Sequence, residues 1–476
     1  MAETLKNFIG GEFVPSGATA IVEVLNPTTG AAIGAIPDST AEDVERAVRS
    51  ARDAQVEWGR LPPAGRAAYL RAIAAKIRQN ADVLSRAVVE EQGKVLALAG
   101  GEVAFAADYL DYMAEWARRI EGEIISSDRV GESIFLFRQP IGVVAGILPW
   151  NFPFFMIARK FAPALVTGNT IVIKPSEETP LSANLFARIV QDCKLPNGVF
   201  NLVHGKGSSA GAALSSHPAV GLISFTGSVE TGSRIMALAA RNITKVNLEL
   251  GGKAPSIVMA DADLELAVNA IKAGRLLNAG QACNCPERVY VQRGVAVEFI
   301  DRLAKAMKSA TFGNPMESVD MGPLINAGHQ RKVQGLVERA VAQGAELVAG
   351  GEAIQRGGGH YFEPTVLVSC AQNSEIMQTE VFGPVLPVNV FDTLDEAVER
   401  SNDSRYGLTS AIYTRDVSTA LRACRDIRFG ETYVNRENFE AMQGFHAGVR
   451  QSGIGGADGK HGLYENTAHH IVYLQA

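Results

Sequence analysis

Apolar residues recur at helical spacing through the first quarter of the chain. Val44, Ala47, Val48 and Ala51 fall on one face of a helix that follows Ser39-Thr-Ala-Glu42, a capping-box signature. Pro62-Pro63 interrupts the pattern, which resumes over 67–92 with Leu70, Ile73, Ile77, Leu84 and Val88 on one side. A further helix is expected over 103–118. This stretch reads as scaffold.

The period changes at Ile124. Segment 124–140 alternates through Ser133-Ile-Phe-Leu-Phe-Arg138 and predicts an extended ribbon. Beyond it, apolar runs at 142–149, 169–174, 199–203 and 221–226 are each followed by a helical pattern. A second series follows Glu249, with strands expected at 254–259, 288–291, 346–349, 385–390, 410–413 and 432–435. Strands alternating with helices imply an α/β fold whose mostly parallel sheets are covered on both faces. Such sheets bind ligands beyond the carboxyl ends of their strands. The Gly-rich stretch before Tyr361 reads as a loop. Gly453-Ile-Gly-Gly-Ala-Asp-Gly459 reads as a flexible tether to a short strand, Ile471-Val-Tyr-Leu474, which is expected to pair with another strand, a neighbouring subunit being one candidate for its source.

Composition narrows the class. At 476 residues, two or three domains are expected. Hydrophobic residues at 47% and charged residues at 20% describe a soluble globular chain. A net charge of −6 leaves no basic footprint for nucleic acid and no polybasic membrane patch. The amino terminus lacks the apolar run of a secretory signal, and no segment approaches the roughly 20 apolar residues of a membrane span. Cys193, Cys283, Cys285, Cys370 and Cys424 are odd in number and scattered, which suits reduced thiols in the cytoplasm.

Chemistry concentrates in a few motifs. Cys283 lies in Asn278-Ala-Gly-Gln-Ala-Cys-Asn-Cys-Pro-Glu-Arg288, downstream of Leu248-Glu-Leu-Gly-Gly-Lys253. A thiolate is a strong nucleophile, and Glu249 is a carboxylate able to activate water against a thioester. Cys283 with Cys285 also forms a C-x-C pair, but the second pair and the nearby histidines of a zinc site are missing, so no metal is expected. Phe225-Thr-Gly-Ser228 closes a strand and opens a helix, where backbone N–H groups suit a phosphate. An ordinary turn with Ser228 as N-cap is the plainer reading. Ile171-Val-Ile-Lys-Pro-Ser-Glu177 puts Lys174 and Glu177 at a strand end, in place to hydrogen-bond ribose hydroxyls. A carboxylate there repels a 2′-phosphate and favours NAD over NADP. Asn151, in Pro149-Trp-Asn-Phe-Pro153, is either a turn residue or an amide donor to a developing oxyanion.

In their order along the chain, these motifs, with Glu380-Val-Phe-Gly-Pro384, resemble the aldehyde dehydrogenase superfamily. The resemblance implies a Rossmann-like cofactor domain (1–118 and 141–248) and an α/β catalytic domain (249–450). It adds a small β oligomerisation ribbon with its tail (119–140 and 451–476), which joins subunits into dimers or tetramers. It also implies Cys283 as nucleophile, Glu249 as the base for the deacylating water, and Asn151 as one oxyanion donor beside the Cys283 backbone N–H. NAD would be held by Lys174, Ser176, Glu177, Gly227, Ser228, Trp150, Leu250, Glu380 and Phe382, and Cys285 would have no chemical role.

Within the superfamily, Ile157-Ala-Arg-Lys160 and the stretch from Tyr433 to His446 resemble bacterial lactaldehyde/glycolaldehyde dehydrogenases. Arg159, Glu440 and His446, with Phe152, would then line a pocket for a small hydroxyaldehyde. Arg159 alone would instead argue for a dicarboxylic semialdehyde such as succinate semialdehyde, and all three polar residues would be spectators if they formed a surface salt-bridge cluster. A CoA-acylating enzyme and a non-catalytic protein that keeps the fold are the remaining alternatives. The second is disfavoured because Cys283, Glu249 and Asn151 are all present.

Overall fold

The structure, a computed structural model, describes residues 4–476. An eight-stranded sheet runs in the order Glu12–Val14, Asn7–Ile9, Phe200–Leu202, Thr170–Lys174, Val143–Ile147, Val220–Thr226, Lys245–Glu249, Gly453–Ile454. The five strands from Phe200–Leu202 to Lys245–Glu249 pair parallel, so the ends carrying Lys174, Trp150, Gly227 and Glu249 share one edge. A seven-stranded sheet carries Pro286–Gln292 and Ala254–Val258 at its centre and is parallel except at Glu346–Ala349. This is the expected α/β architecture. Each sheet is buried against its own helices, Phe161, Phe186 and Leu165 filling one core and Phe299, Leu303 and Val388 another.

Several local expectations are corrected. The first helix, Ala41–Arg60, buries Val44, Ala47, Val48 and Ala51, but its capping box is closed by Thr40 and Asp43. Ser39 is not the cap, because the Asn7 amide donates to its hydroxyl at 2.9 Å. The pattern over 67–92 divides into Pro63–Gln79 and Ala81–Gln92. Between them, the Asn80 amide turns back to donate to the Lys76 carbonyl (2.8 Å), a local bond that competes with helix propagation. The glycines before Tyr361 form a hairpin rather than a loop. Strands Ala353–Arg356 and Gly359–Phe362 turn at Gly357 and Gly358, whose positive φ of 59° and 91° suits the twist of a tight two-residue connection.

The Gly453–Gly459 stretch is not a flexible tether. Gly453–Ile454 pairs antiparallel with the strand bearing Glu249, and a Cβ on Gly453 would come 2.3 Å from the Leu248 carbonyl oxygen. Glycine serves close approach here, and the first residues assigned to the tail belong to the larger sheet. The terminal strand is longer than expected, Thr467–Gln475, and pairs residue for residue with Glu132–Pro140 of the same chain. It therefore pairs within the chain. Together with Glu123–Ser126 these strands form a three-stranded ribbon that leaves Ile124, Phe137, Tyr473 and Leu474 exposed.

Candidate active site

Cys283 is delivered by a strained loop. Asn278 and Ala279 have φ of 50° and 55°, and Gly280 follows at 76°. Two non-glycine residues in the left-handed region cost on the order of 1–3 kcal/mol each and persist only when neighbours fix them. The neighbours are visible. Arg275 donates to the carbonyls of Gly280 and Pro286 at 2.7 Å each. The Gln281 side chain donates to the Asn278 carbonyl and accepts from the Ile325 N–H, both at 2.9 Å. Gly280 itself is required, since a Cβ would meet the Gly383 carbonyl oxygen at 2.3 Å. Cys283 is partly exposed and lines cavities on two sides. Cys285 is buried, with its thiol pushed up to about 12 by burial, which makes it chemically inert at neutral pH.

Asn151 borders both cavities and donates from Nδ2 to the Gln281 carbonyl (3.0 Å). Its own carbonyl accepts from buried Lys94 at 2.8 Å and from Asn278 at 3.1 Å, which locks the peptide beside the Cys283 loop.

Glu249 ends its strand next to Thr226 and is 3% exposed. Burial would raise its carboxyl. The charges of Lys160, Arg159 and His446 outweigh that cost and hold it at about 2. Lys160 Nζ donates to Oε1 at 3.1 Å, and the Thr226 hydroxyl donates to Oε2 at 3.0 Å.

On one side of Cys283 lies a cavity of about 280 Å³ walled by Phe105, Phe152, Phe155 and Phe439, with Arg159, Asn284 and Glu440 as its polar end. Arg159 is fully engaged. It donates to Glu440 at 3.0 Å, to both oxygens of Asp458, and lies 3.7 Å from Glu249. Asn284 donates to the other Glu440 oxygen at 2.5 Å. Burial opposes the Glu440 charge, but His446 and Arg159 pull its carboxyl down to about 2. His446, 2% exposed, has Nδ1 2.6 Å from Glu431 Oε1. The cluster is buried, so the surface salt-bridge reading falls.

The structure thus gathers Cys283, Glu249, Asn151, Arg159, Glu440, His446 and Phe152 into one place. It adds residues the sequence reading did not single out: Lys160, Thr226, Asn284, Glu431 and Asp458. Two of these were detectable. Lys160 adjoins Arg159 in an otherwise apolar helix, and Asp458 is the one acid in the glycine-rich stretch.

Comparison with known proteins decides the family. The aldehyde dehydrogenase family model matches residues 13–472. The chain belongs to the aldehyde dehydrogenase family. The lactaldehyde dehydrogenase of Escherichia coli K12 is 58% identical over 471 residues, 98% of each chain. The crystal structure of lactaldehyde dehydrogenase from Escherichia coli superposes with a TM-score of 0.99 at 57% identity, covering 100% of both chains. Betaine aldehyde dehydrogenase from Staphylococcus aureus, in complex with NAD+, gives a TM-score of 0.96 at 36% identity over 99% of this chain and 94% of its own.

The other cavity that Cys283 lines, about 250 Å³, is bounded by residues from the parts of the chain that build both large sheets. Trp150, Gly227, Ser228, Leu250, Glu380 and Phe382 all line it, and so does His329. Ser228 caps the helix Val229–Ala239 by accepting from the Thr231 N–H, and Gly227 leaves the backbone bare where a Cβ would meet the Phe225 ring at 2.4 Å. Such a surface suits a pyrophosphate. Ser228 is therefore the N-cap and a cavity residue at once. Glu380 accepts from the Gly252 N–H at 2.8 Å, and burial, with the charge of Glu287 adding, pushes its carboxyl up to about 7. Lys174, Ser176 and Glu177 sit outside that cavity, at the end of a neighbouring strand of the same sheet, where Lys174 donates to Glu177 at 3.4 Å. No helix among the described residues is long and apolar enough to cross a membrane.

Proposed function

We propose that the chain oxidises a small hydroxyaldehyde, lactaldehyde or glycolaldehyde, to the acid with NAD as hydride acceptor. The observation that carries this is the polar end of the Cys283 cavity. Arg159 is neutralised by Asp458 and Glu440 and has no free charge for a substrate carboxylate, while Glu440 repels one. What remains is a carboxylate and an amide, Glu440 and Asn284, which suit a hydroxyl beside the carbonyl. The name of the Escherichia coli relative agrees with this reading.

Cys283 adds to the carbonyl, and the alkoxide lies between the Asn151 amide and the Cys283 backbone N–H. Bound nicotinamide supplies the acceptor for the hydride that leaves the adduct. Lys160 and Thr226 take one lone pair on each Glu249 oxygen, which leaves a second on each to take the proton of the deacylating water. Lys174, Ser176 and Glu177 hold the adenosine ribose, Gly227 and Ser228 the pyrophosphate, and Trp150, Leu250, Glu380 and Phe382 the nicotinamide half. Glu177 favours NAD over NADP.

In this reading 1–118 with 141–248 binds NAD, and 249–450 carries the nucleophile. The ribbon, 119–140 with the terminal strand, joins subunits through its exposed Ile124, Phe137, Tyr473 and Leu474 into a dimer or tetramer. The test is cofactor reduction with glycolaldehyde, lactaldehyde and succinate semialdehyde in parallel, with NAD or NADP and without CoA. The hydroxyaldehydes with NAD are expected to lead. Preference for the semialdehyde would overturn the substrate reading, and a requirement for CoA would replace water as the acyl acceptor.

A further inference from the structure

Two buried charges beside Asn151 have no part in the chemistry of Cys283 and Glu249. Lys94 is 1% exposed and Glu102 is 5% exposed, and their side chains form an ion pair. Lys94 follows Gly93, whose φ of 84° ends the helix Ala81–Gln92, and Glu102 lies in the next helix, Leu96–Glu115. An ammonium has three protons to give. That of Lys94 donates to Glu102 Oε2 and, at 2.8 Å, to the Asn151 carbonyl. It also lies over the Phe152 ring, 3.8 Å from the centroid. The other oxygen of Glu102, Oε1, accepts from the backbone N–H groups of Phe154 (2.9 Å) and Phe155 (3.0 Å).

Those N–H groups open the helix Pro153–Val166, whose N-cap residue, Phe152, has no acceptor on its side chain. A carboxylate from another helix does the capping instead, and its charge suits the positive end of the helix. The pair therefore grips the chain from Asn151 to Phe155. The Cys283 loop grips the same span, through Asn278 Nδ2 to the Asn151 carbonyl at 3.1 Å. Asn151 Nδ2 gives one proton to the Gln281 carbonyl at 3.0 Å, which leaves its second for an oxyanion. A buried ion pair is a poor stabiliser beside apolar residues of similar volume, so what this one contributes is direction.

We infer that Lys94 and Glu102 are positioning residues that aim the Asn151 amide at the developing alkoxide. The inference rests on Asn151 being the oxyanion donor of the function described above. As Cys283 Sγ bonds to the carbonyl carbon, the carbonyl π pair moves to oxygen, and Asn151 Nδ2 donates to it. Glu102 borders the cavity of the four phenylalanines, but its side chain is fully buried. It acts through the helix end it holds and not on the aldehyde.

The test is a double-mutant cycle of Lys94→Met and Asn151→Ala in the full chain, read by the single-turnover rate of NAD reduction with lactaldehyde. Asn151→Ala should slow that turnover on the order of a hundred- to a thousand-fold. Lys94→Met alone should slow it about tenfold, with the half-saturating lactaldehyde concentration little changed, since a misplaced donor weakens transition-state binding. In the Asn151→Ala background the same substitution should cost less than about twofold, because nothing is left to aim. Alkylation of Cys283 by iodoacetamide is the control. Displacement of iodide forms no oxyanion, so its rate should stay near wild type in Lys94→Met, and buried Cys285 should stay unlabelled in an intact fold. Because Lys94→Met leaves Glu102 without its cation, Lys94→Met combined with Glu102→Gln, which leaves no lone charge, goes through the same cycle. Unchanged turnover in the folded variants would overturn the inference. So would a cost that persists in full without Asn151, or a parallel loss of alkylation. In those cases a slow Asn151→Ala would still uphold the oxyanion donor. Turnover of Asn151→Ala at the wild-type rate would remove that donor, and the aim with it.

Discussion

Two buried carboxylates in this protein have the same ionisation and different occupations. Glu249 and Glu287 are both held at about 2, each because paired cations overcome the cost of burial. Glu287 accepts from Lys253 (2.6 Å), Arg275 (2.9 Å) and the backbone N–H groups of Val381 and Phe382 (3.1 Å each), and it lines neither cavity beside Cys283. It ties the Cys283 loop to the segment that carries Glu380 and Phe382. Glu249 also faces cations, but it opens onto the cleft that contains Cys283. The lesson is that a depressed carboxyl does not by itself mark chemistry. Access to a cavity and a lone pair left free do.

The sharpest break of the comparison is a pair of substitutions. Glu249→Gln should lower turnover on the order of a hundred- to ten-thousand-fold by stalling deacylation, measured by steady-state cofactor reduction. Glu287→Gln should leave the chemistry nearer normal in the folded fraction but cost about 3–5 kcal/mol of stability, because two buried cations lose their partner, and denaturant titration would show it. Equal effects of both on turnover would erase the distinction.

Smaller effects sharpen it. Glu440→Gln should lower kcat/KM for lactaldehyde about tenfold while changing it little for an aldehyde without a hydroxyl, a difference read from paired substrate titrations. Glu380 supplies the contrast in the second cavity. Its carboxyl, raised to about 7, is protonated below that pH in the free enzyme, so KM for the cofactor should rise a few-fold as pH falls through about 7. Glu380→Gln should flatten that profile. Stability gives the mildest signal. Glu287 and Glu249 have depressed carboxyls, so their contribution is present above the unfolded value of about 4.3 and fades as pH falls towards about 2. Thermal melts across that window should fall in wild type and fall less in Glu287→Gln.

Much of the site was legible in the sequence because its motifs are local. Glu249, Asn151 and Ser228 each stand just past an apolar run where a parallel sheet exposes one edge, and Cys283 stands out in the loop before the strand Pro286–Gln292. The helical face of Val44 to Ala51 was readable for the same reason. What escaped depends on distance along the chain. Asp458 meets Arg159 across 299 positions, and its glycine neighbours looked like freedom when they mark close packing. Glu431 lies at a strand start with nothing local to connect it to His446. The partner of the terminal strand was likewise invisible, since alternation predicts a strand and not the chain it pairs with.

The most direct measurement is intact-mass and peptide analysis of Glu249→Gln mixed with lactaldehyde and NAD, beside Glu287→Gln as control. An acyl adduct on Cys283 is expected to accumulate in the first and not in the second. Acid product formed by Glu249→Gln at the wild-type rate with no adduct on Cys283 would contradict it.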